Sequence, residues 1–150
     1  MVASRKDILF VAAQFILFAA YLFEIPELRL EFPDNADWVN LILAGTGIVI
    51  ILIALLQLNK NLSPFPTPRR NSELVVTGPF SYVRHPIYSG IMMTTFFMAI
   101  YSDSGYKLII CLLLVILFYF KSEFEEEQLE KKFSGYKSYK ASTGRFFPKF

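Results

Sequence analysis

The chain has 150 residues, of which 54% are hydrophobic, 17% aromatic and only 19% charged. This composition is too apolar for a soluble domain of that length, so it excludes an ordinary soluble enzyme and predicts an integral-membrane protein. A single cysteine and a single histidine exclude a disulfide and an ordinary metal site. The net charge of +2 gives no sign of a nucleic-acid partner. We therefore expect neither nucleic acid nor metal.

Four runs without a charged residue follow one another along the chain, and each predicts a membrane-spanning helix. The fourth run has 13 residues, or about 20 Å of helix against a hydrocarbon core of about 30 Å. Lys107 and Lys121 at its ends can extend it by snorkelling. We expect one all-α integral-membrane domain over residues 1–150 with four transmembrane helices, at about 8–25, 38–58, 86–102 and 106–133.

Basic residues are concentrated in three segments: before the first run, between the second and third, and after residue 120. These segments hold thirteen of the fifteen Lys and Arg residues, and only Arg29 and Lys107 lie elsewhere. The positive-inside rule then predicts a multi-pass protein with both termini and the 59–84 loop in the cytoplasm. The first run has no small-residue cleavage site after it, so we expect a retained helix and not a signal peptide.

The last predicted helix continues beyond its apolar run, because neither Pro nor Gly occurs between residues 106 and 133. This predicts a C-terminal helical extension with a polar, acidic face. Taken alone, such an acidic run is more often a solvated face than a site. Glu127 and Lys131 are spaced as a surface ion pair, whereas Glu126 and Glu130, four residues apart, are expected to repel each other.

The segment 78–90, GPFSYVRHPIYSG, joins a polar loop to the third apolar run. Pro86 suits the first turn of a helix, since it lacks the N–H that a first turn leaves unpaired, and His85 is then the cap. The free N–H groups that follow, with Arg84 nearby, can hold an anionic group. A basic membrane boundary ahead of a spanning helix explains the same residues.

Two sequence blocks lie about forty residues apart. The first is RHPIYSG, from Arg84 to Gly90, and the second comprises Glu125, Glu126, Leu129, Phe133, Tyr136, Tyr139 and the segment 145–148, RFFP. Together they resemble the isoprenylcysteine carboxyl methyltransferase family, which are integral-membrane enzymes that use S-adenosylmethionine. The likeness covers about residues 71–148, which are expected to form a methyltransferase-like catalytic region with a cytoplasmic cofactor-binding loop.

The resemblance also implies a set of site residues. A sulfonium cation with a zwitterionic methionine end needs an acid, aromatic faces and N–H donors. Lys121 stands where relatives have an arginine that receives the acceptor carboxylate, and it is the expected catalytic residue together with Arg84. The contacts to S-adenosylmethionine are expected from Glu73, Leu74, Val75, Phe80, His85, Pro86, Ile87, Tyr88 and Glu125.

The implied function is methyl transfer from S-adenosylmethionine to a lipophilic acceptor from the lipid bilayer, most specifically the carboxylate of a prenylcysteine-like thioether. A carboxylate is ionised at neutral pH and needs no base, whereas an amine acceptor would need one, and His85 is the candidate. Three alternatives stay open. They are a lipid amine N-methyltransferase, a membrane reductase, since sterol reductases share a similar C-terminal pattern, and a non-catalytic helical membrane subunit.

Overall fold

A computed structural model describes residues 4–32 and 37–149 of the chain. Over these residues the protein is all-helical and contains no strand, which confirms the predicted all-α class. The bounds of the first four α-helices differ from the expected ones by at most four residues, while α5 was not predicted. The helices are α1 Arg5–Tyr21, α2 Asp37–Leu58, α3 Pro86–Tyr101, α4 Gly105–Lys132 and α5 Tyr136–Ser142.

One helix in the described part of the chain, α2, is long and apolar enough to cross a membrane by length and composition. It has 22 residues, and an 18-residue window of it has a mean hydropathy of 2.7. Helix α3 is also apolar but has only 16 residues. By this criterion the structure supports one spanning helix, and the expectation of four stays a prediction.

Helices α2 and α3 cross at a backbone contact between two glycines. A Cβ atom on Gly47 would lie 2.4 Å from the Oγ1 atom of Thr94 and 2.7 Å from the carbonyl oxygen of Gly90. Thr94 in turn donates a hydrogen bond of 3.1 Å to the carbonyl oxygen of Ala44. Gly45, by contrast, has open space where a Cβ would lie. Small residues thus permit the close approach, as in other apolar helix pairs. Of the two glycines of α2, the close approach requires Gly47 and does not require Gly45.

Helix α4 supplies the centre of the buried core and packs against α1 and α3. Ile110, Leu114 and Phe118 form the buried cluster. The ring of Tyr88 at the start of α3 stacks on Phe118, with centroids 4.7 Å apart and an interplanar angle of 8°. This contact places the first turn of α3 beside the part of α4 where polar residues begin.

Two segments outside the helices also meet near the start of α3. The C-terminal tail runs alongside it, since the backbone N–H groups of Arg84 and His85 donate to the carbonyl oxygens of Gly144 and Arg145, at 2.8 and 3.1 Å. The proline-rich connector, residues 62–68, is not helical, because alternating prolines disfavour a helix, and it lines the same cavity as His85 and Pro86. The loop, the connector and the tail therefore converge at one end of the bundle.

The N-terminal helix is fixed to this connector by one buried carboxylate. Asp7 forms a capping box with Ser4, which is why α1 begins at Arg5. Asp7 also accepts hydrogen bonds from the backbone N–H and the hydroxyl of Thr67, at 3.0 and 2.9 Å. Burial works to raise the pKa of Asp7, but the bonds from Thr67 and Ser4 outweigh it and lower the pKa.

Candidate active site

A cavity of about 350 Å³ lies at this end of the bundle, between α1, α3, α4 and the connector. We call it the first cavity. Its volume lies in the range typical of small-molecule sites, about 300–1,000 Å³. All the site residues expected from the sequence line it: Glu73, Leu74, Val75, Phe80, Arg84, His85, Pro86, Ile87, Tyr88, Lys121 and Glu125. The fold thus brings the two sequence blocks together, while their binding of a cofactor stays a prediction.

One wall of the first cavity combines an acid with two aromatic rings. The hydroxyl of Tyr88 donates to Glu125 Oε2 at 2.9 Å, and the Nδ1 atom of His85 lies 3.8 Å from the same oxygen. The rings of His85 and Tyr88 stack with centroids 5.4 Å apart. Because 27% of the Glu125 side chain is exposed, its carboxylate can still meet a ligand.

The start of α3 leaves backbone donors beside this wall. Pro86 occupies the first helical position and has no N–H. The N–H of Ser89 donates to the carbonyl oxygen of His85 at 3.1 Å, which is the first α-helical bond. The N–H groups of Ile87 and Tyr88 come before it and have no helical acceptor, so the positive end of the helix dipole offers two donors.

Lys121 is almost completely buried, with 2% of its surface exposed. Its Nζ atom donates to Gln14 Oε1 at 2.5 Å and lies 5.3 Å from the centre of the Tyr88 ring. Gln14, on α1, also lines the first cavity. The sequence analysis did not select Gln14, and the available signal was a single glutamine inside an apolar run.

A second polar group lies behind the first cavity and is centred on Glu126, which is 1% exposed. The Oε1 atom of Glu126 accepts from Arg84 Nε at 2.9 Å and from His85 Nε2 at 3.1 Å. Lys140 Nζ lies 3.2 Å from the other carboxylate oxygen, and Arg145 Nε lies 3.5 Å from Oε1. We call these five residues the Glu126 cluster.

The cluster keeps Glu126 ionised and determines which nitrogen of His85 carries a hydrogen. Burial works to raise the pKa of Glu126, but the hydrogen bonds from His85 and Arg84 outweigh it and lower the pKa to about 2. The ionised carboxylate can only accept, so the Nε2 atom of His85 carries a hydrogen. In a neutral ring this leaves Nδ1, the atom nearer Glu125, as the acceptor.

The sequence analysis missed most of this cluster. It expected Glu126 and Glu130 to repel each other, whereas Lys140 Nζ lies between them, 3.2 Å from Glu126 and 2.8 Å from Glu130. The hydrogen bond to Glu130 raises the pKa of Lys140. Arg84, expected to be catalytic, also donates to the carbonyl oxygens of Lys140 and Thr143. Its guanidinium is therefore occupied by protein groups.

A family model described as phospholipid methyltransferase matches residues 36–135, two thirds of the chain. A search among curated proteins finds no match. With the family match, the chain is a membrane-associated methyltransferase that acts on lipid-like substrates. It belongs to the phospholipid methyltransferase family, whose members generally use S-adenosylmethionine. This family lies in the same superfamily as the isoprenylcysteine carboxyl methyltransferases, so the broader part of the sequence resemblance is confirmed.

Proposed function

We propose that the first cavity binds S-adenosylmethionine and that the chain transfers its methyl group to the carboxylate of a prenylcysteine-like thioether. The observation that carries this proposal is that all eleven expected site residues line one cavity in a member of a methyltransferase family. These residues come from three separate segments of the sequence, so only the folded chain can unite them.

The side chains and backbone groups of the first cavity suit the chemistry of this cofactor. When bound, S-adenosylmethionine supplies an electrophilic methyl group on a sulfonium cation. The Glu125 carboxylate would balance that positive charge, and the face of the Tyr88 ring would add a cation–π contact. The free N–H groups of Ile87 and Tyr88 would bind the carboxylate of its methionine end.

Lys121 would bind and orient the acceptor carboxylate. Because a carboxylate is already ionised at neutral pH, no side chain has to remove a proton, and placement against the methyl group is the main requirement. Arg84 acts in this proposal as a positioning residue, since its guanidinium is bound to Glu126 and to the tail. It holds the loop that carries His85 and Pro86.

The acceptor is expected to enter from a lipid bilayer. A second cavity of about 900 Å³ between α3 and α4 is lined almost entirely by apolar side chains, among them Met92, Phe96 and Leu112, and it shares Pro86 with the first cavity. It suits a lipid chain attached to a group held at the first cavity. We further propose that the protein crosses the membrane four times with both termini in the cytoplasm, where the basic residues are concentrated.

A lipid amine is the second candidate acceptor. The description of the matching family favours it, and so does His85, whose Nδ1 atom is left as an acceptor while Nε2 is bound to Glu126. A neutral histidine held in this way can act as a general base for an ammonium group. This candidate predicts that turnover falls at low pH, where the essential base becomes protonated. It also predicts that this dependence on pH is lost in His85→Gln.

The test uses the purified protein in nonionic detergent with methyl-labelled S-adenosylmethionine and a farnesylated cysteine analogue. The expected product is a methyl ester, which mild alkali hydrolyses to labelled methanol. A labelled product that resists alkali would mean methylation on nitrogen or sulfur, and the lipid amine would replace the carboxylate. Binding of NADPH in place of S-adenosylmethionine would indicate a reductase, and binding of neither would indicate a non-catalytic subunit.

A further inference from the structure

Helices α1 and α4 are joined inside the first cavity by the hydrogen bond from Lys121 to Gln14, and the direction of this bond fixes the orientation of the Gln14 amide. An ammonium group only donates hydrogen bonds, so Gln14 must turn its carbonyl oxygen toward Lys121. The amide nitrogen Nε2 of Gln14, with its two hydrogens, is left on the other side of the same amide. Within residues 4–32 and 37–149, this nitrogen has no hydrogen-bond partner.

Lys121 also has no carboxylate in direct contact with its charged group. No carboxylate of the described residues lies within 4 Å of its Nζ atom, which contacts the Gln14 amide and lies over the Tyr88 ring. The two nearby acids, Glu125 and Asp7, attract this charge from a longer distance. Their carboxylates accept hydrogen bonds from Tyr88 and Thr67 and do not contact Nζ. Burial of a cation that has no anion in direct contact is costly, so an anionic ligand in contact with Nζ would complete this part of the cavity.

We propose that Gln14 and Lys121 together bind the anionic head of the acceptor, Lys121 through its charge and Gln14 through a second hydrogen bond from Nε2. A bidentate arginine makes both bonds from one side chain. Here Lys121 on α4 makes one bond and Gln14 on α1 makes the other. Gln14 is therefore a residue that determines acceptor specificity. The inference rests on the proposed function, because it concerns the acceptor of that reaction.

Helix α1 lies outside the residues matched by the family model, which begin at residue 36. Gln14 therefore lies in a part of the chain that the family match does not cover, whereas Lys121 lies within it. The shared chemistry of the ligand is a pair of anionic oxygens. They can belong to a carboxylate that receives the methyl group or to the phosphate of a lipid whose amine receives it.

Binding measurements test this pair independently of turnover. The purified protein in nonionic detergent is titrated with N-acetyl-farnesylcysteine, with its methyl ester and with hexadecyl phosphate, and S-adenosylmethionine binding is measured separately. We expect the wild type to bind the carboxylate at least about tenfold more tightly than the ester, since a hydrogen bond to a charged group is stronger than one to a neutral group. Tighter binding of the carboxylate than of the phosphate would indicate that the ligand is the carboxylate that receives the methyl group. The reverse order would indicate the phosphate of a lipid whose amine receives it.

Variants separate recognition from folding. Gln14→Leu should weaken binding of the anionic ligand about tenfold, leave the ester unchanged and leave S-adenosylmethionine binding within twofold. Gln128→Leu, on α4 and outside the residues that line the first cavity, is the matched control and should bind all ligands like the wild type. Lys121→Arg in a Gln14→Ala background should recover most of the lost affinity, because one arginine can make both bonds.

The inference is overturned if Gln14→Leu binds the carboxylate and the phosphate as the wild type does. It is also overturned if the variant loses S-adenosylmethionine binding in equal measure, since the pair would then serve the cofactor. An alkali-stable product in the turnover assay contradicts the proposed ester, yet preserved discrimination between anionic and neutral ligands would still support the Gln14 and Lys121 pair. The two failures are therefore distinguishable.

Discussion

Glu125 and Glu126 are neighbours on α4, yet they belong to two different regions of the molecule. Glu125 lies in the wall of the first cavity, is 27% exposed and accepts from the Tyr88 hydroxyl. Glu126 is 1% exposed and is surrounded by the basic side chains of the Glu126 cluster. Successive residues of a helix point about 100° apart, so one acid can face a ligand while the next holds the protein together.

The Glu126 cluster joins three segments that the sequence keeps apart. Arg84 and His85 come from the loop before α3, Glu126 from α4, and Lys140 and Arg145 from the tail. The tail lies beyond residue 135, outside the family match. We therefore expect Glu126 to hold the segments that shape the first cavity, whereas Glu125 faces the ligand inside it.

The largest effect is expected for Glu126→Ala. Removing this carboxylate leaves the buried guanidinium of Arg84 without its partner, and breaking a buried ion pair costs about 3–5 kcal/mol. Thermal unfolding in detergent should show a large drop in Tm and weaker binding of every ligand. Glu127→Ala, at an exposed position of the same helix, should unfold like the wild type. Equal unfolding of the two variants would show that the cluster does not anchor the tail.

The same carboxylate should make stability depend on acidic pH. The pKa of Glu126 is lowered from 4.5 to about 2 in the folded protein, so its contribution is present above the unfolded value and is lost as the pH falls toward the folded one. We expect Tm to fall between about pH 4.5 and pH 2. In Glu126→Gln this fall should be smaller, and an unchanged fall would assign the acid sensitivity to other groups.

Two neighbouring glycines of α2 offer the same kind of contrast with a smaller effect. In Gly47→Ala the new methyl group meets Thr94 and the backbone of Gly90, and such overpacking costs about 1–3 kcal/mol. Gly45→Ala has open space and should be neutral or slightly stabilising, because alanine is the better helix former. Unfolding in detergent measures both, and equal destabilisation would place the helix crossing elsewhere.

The smallest effect is expected for Tyr139→Phe. The hydroxyl of Tyr139 donates to the carbonyl oxygen of Phe80 at 2.5 Å and joins the tail to the loop. Its loss should cost about 0.5–1.5 kcal/mol. The control is Tyr82→Phe, since Tyr82 is 68% exposed and its change should leave Tm unaltered. A drop as large as that of Glu126→Ala would contradict this ranking and mean that this bond holds the tail as firmly as the cluster does.

The sequence was informative where structure depends on near neighbours. Apolar runs without charges predicted the long helices, and Pro86 predicted the start of α3, because both features act within a few residues. The family resemblance named eleven residues that line the first cavity. The partners of Glu126 were missed because only its helical neighbour Glu130 was visible at a spacing of four.

Longer-range contacts depend on how the helices cross. Lys140, which bridges Glu126 and Glu130, lies in the short helix α5. No apolar periodicity in the sequence predicts this helix. Gln14 reaches Lys121 only because α1 packs on α4. Such pairs are set by tertiary packing, and a single sequence contains no local signal for them.

Calorimetric titration of S-adenosylmethionine into the purified protein tests the central claim most directly. The account predicts that the wild type binds it, that Glu125→Ala and Tyr88→Ala abolish binding because they remove the acid and the aromatic face of the first cavity, and that Glu127→Ala binds like the wild type. Unfolding curves measured in parallel show that the variants are folded. Equal affinities in all three variants, or a loss confined to Glu127→Ala, would contradict the assignment of the first cavity.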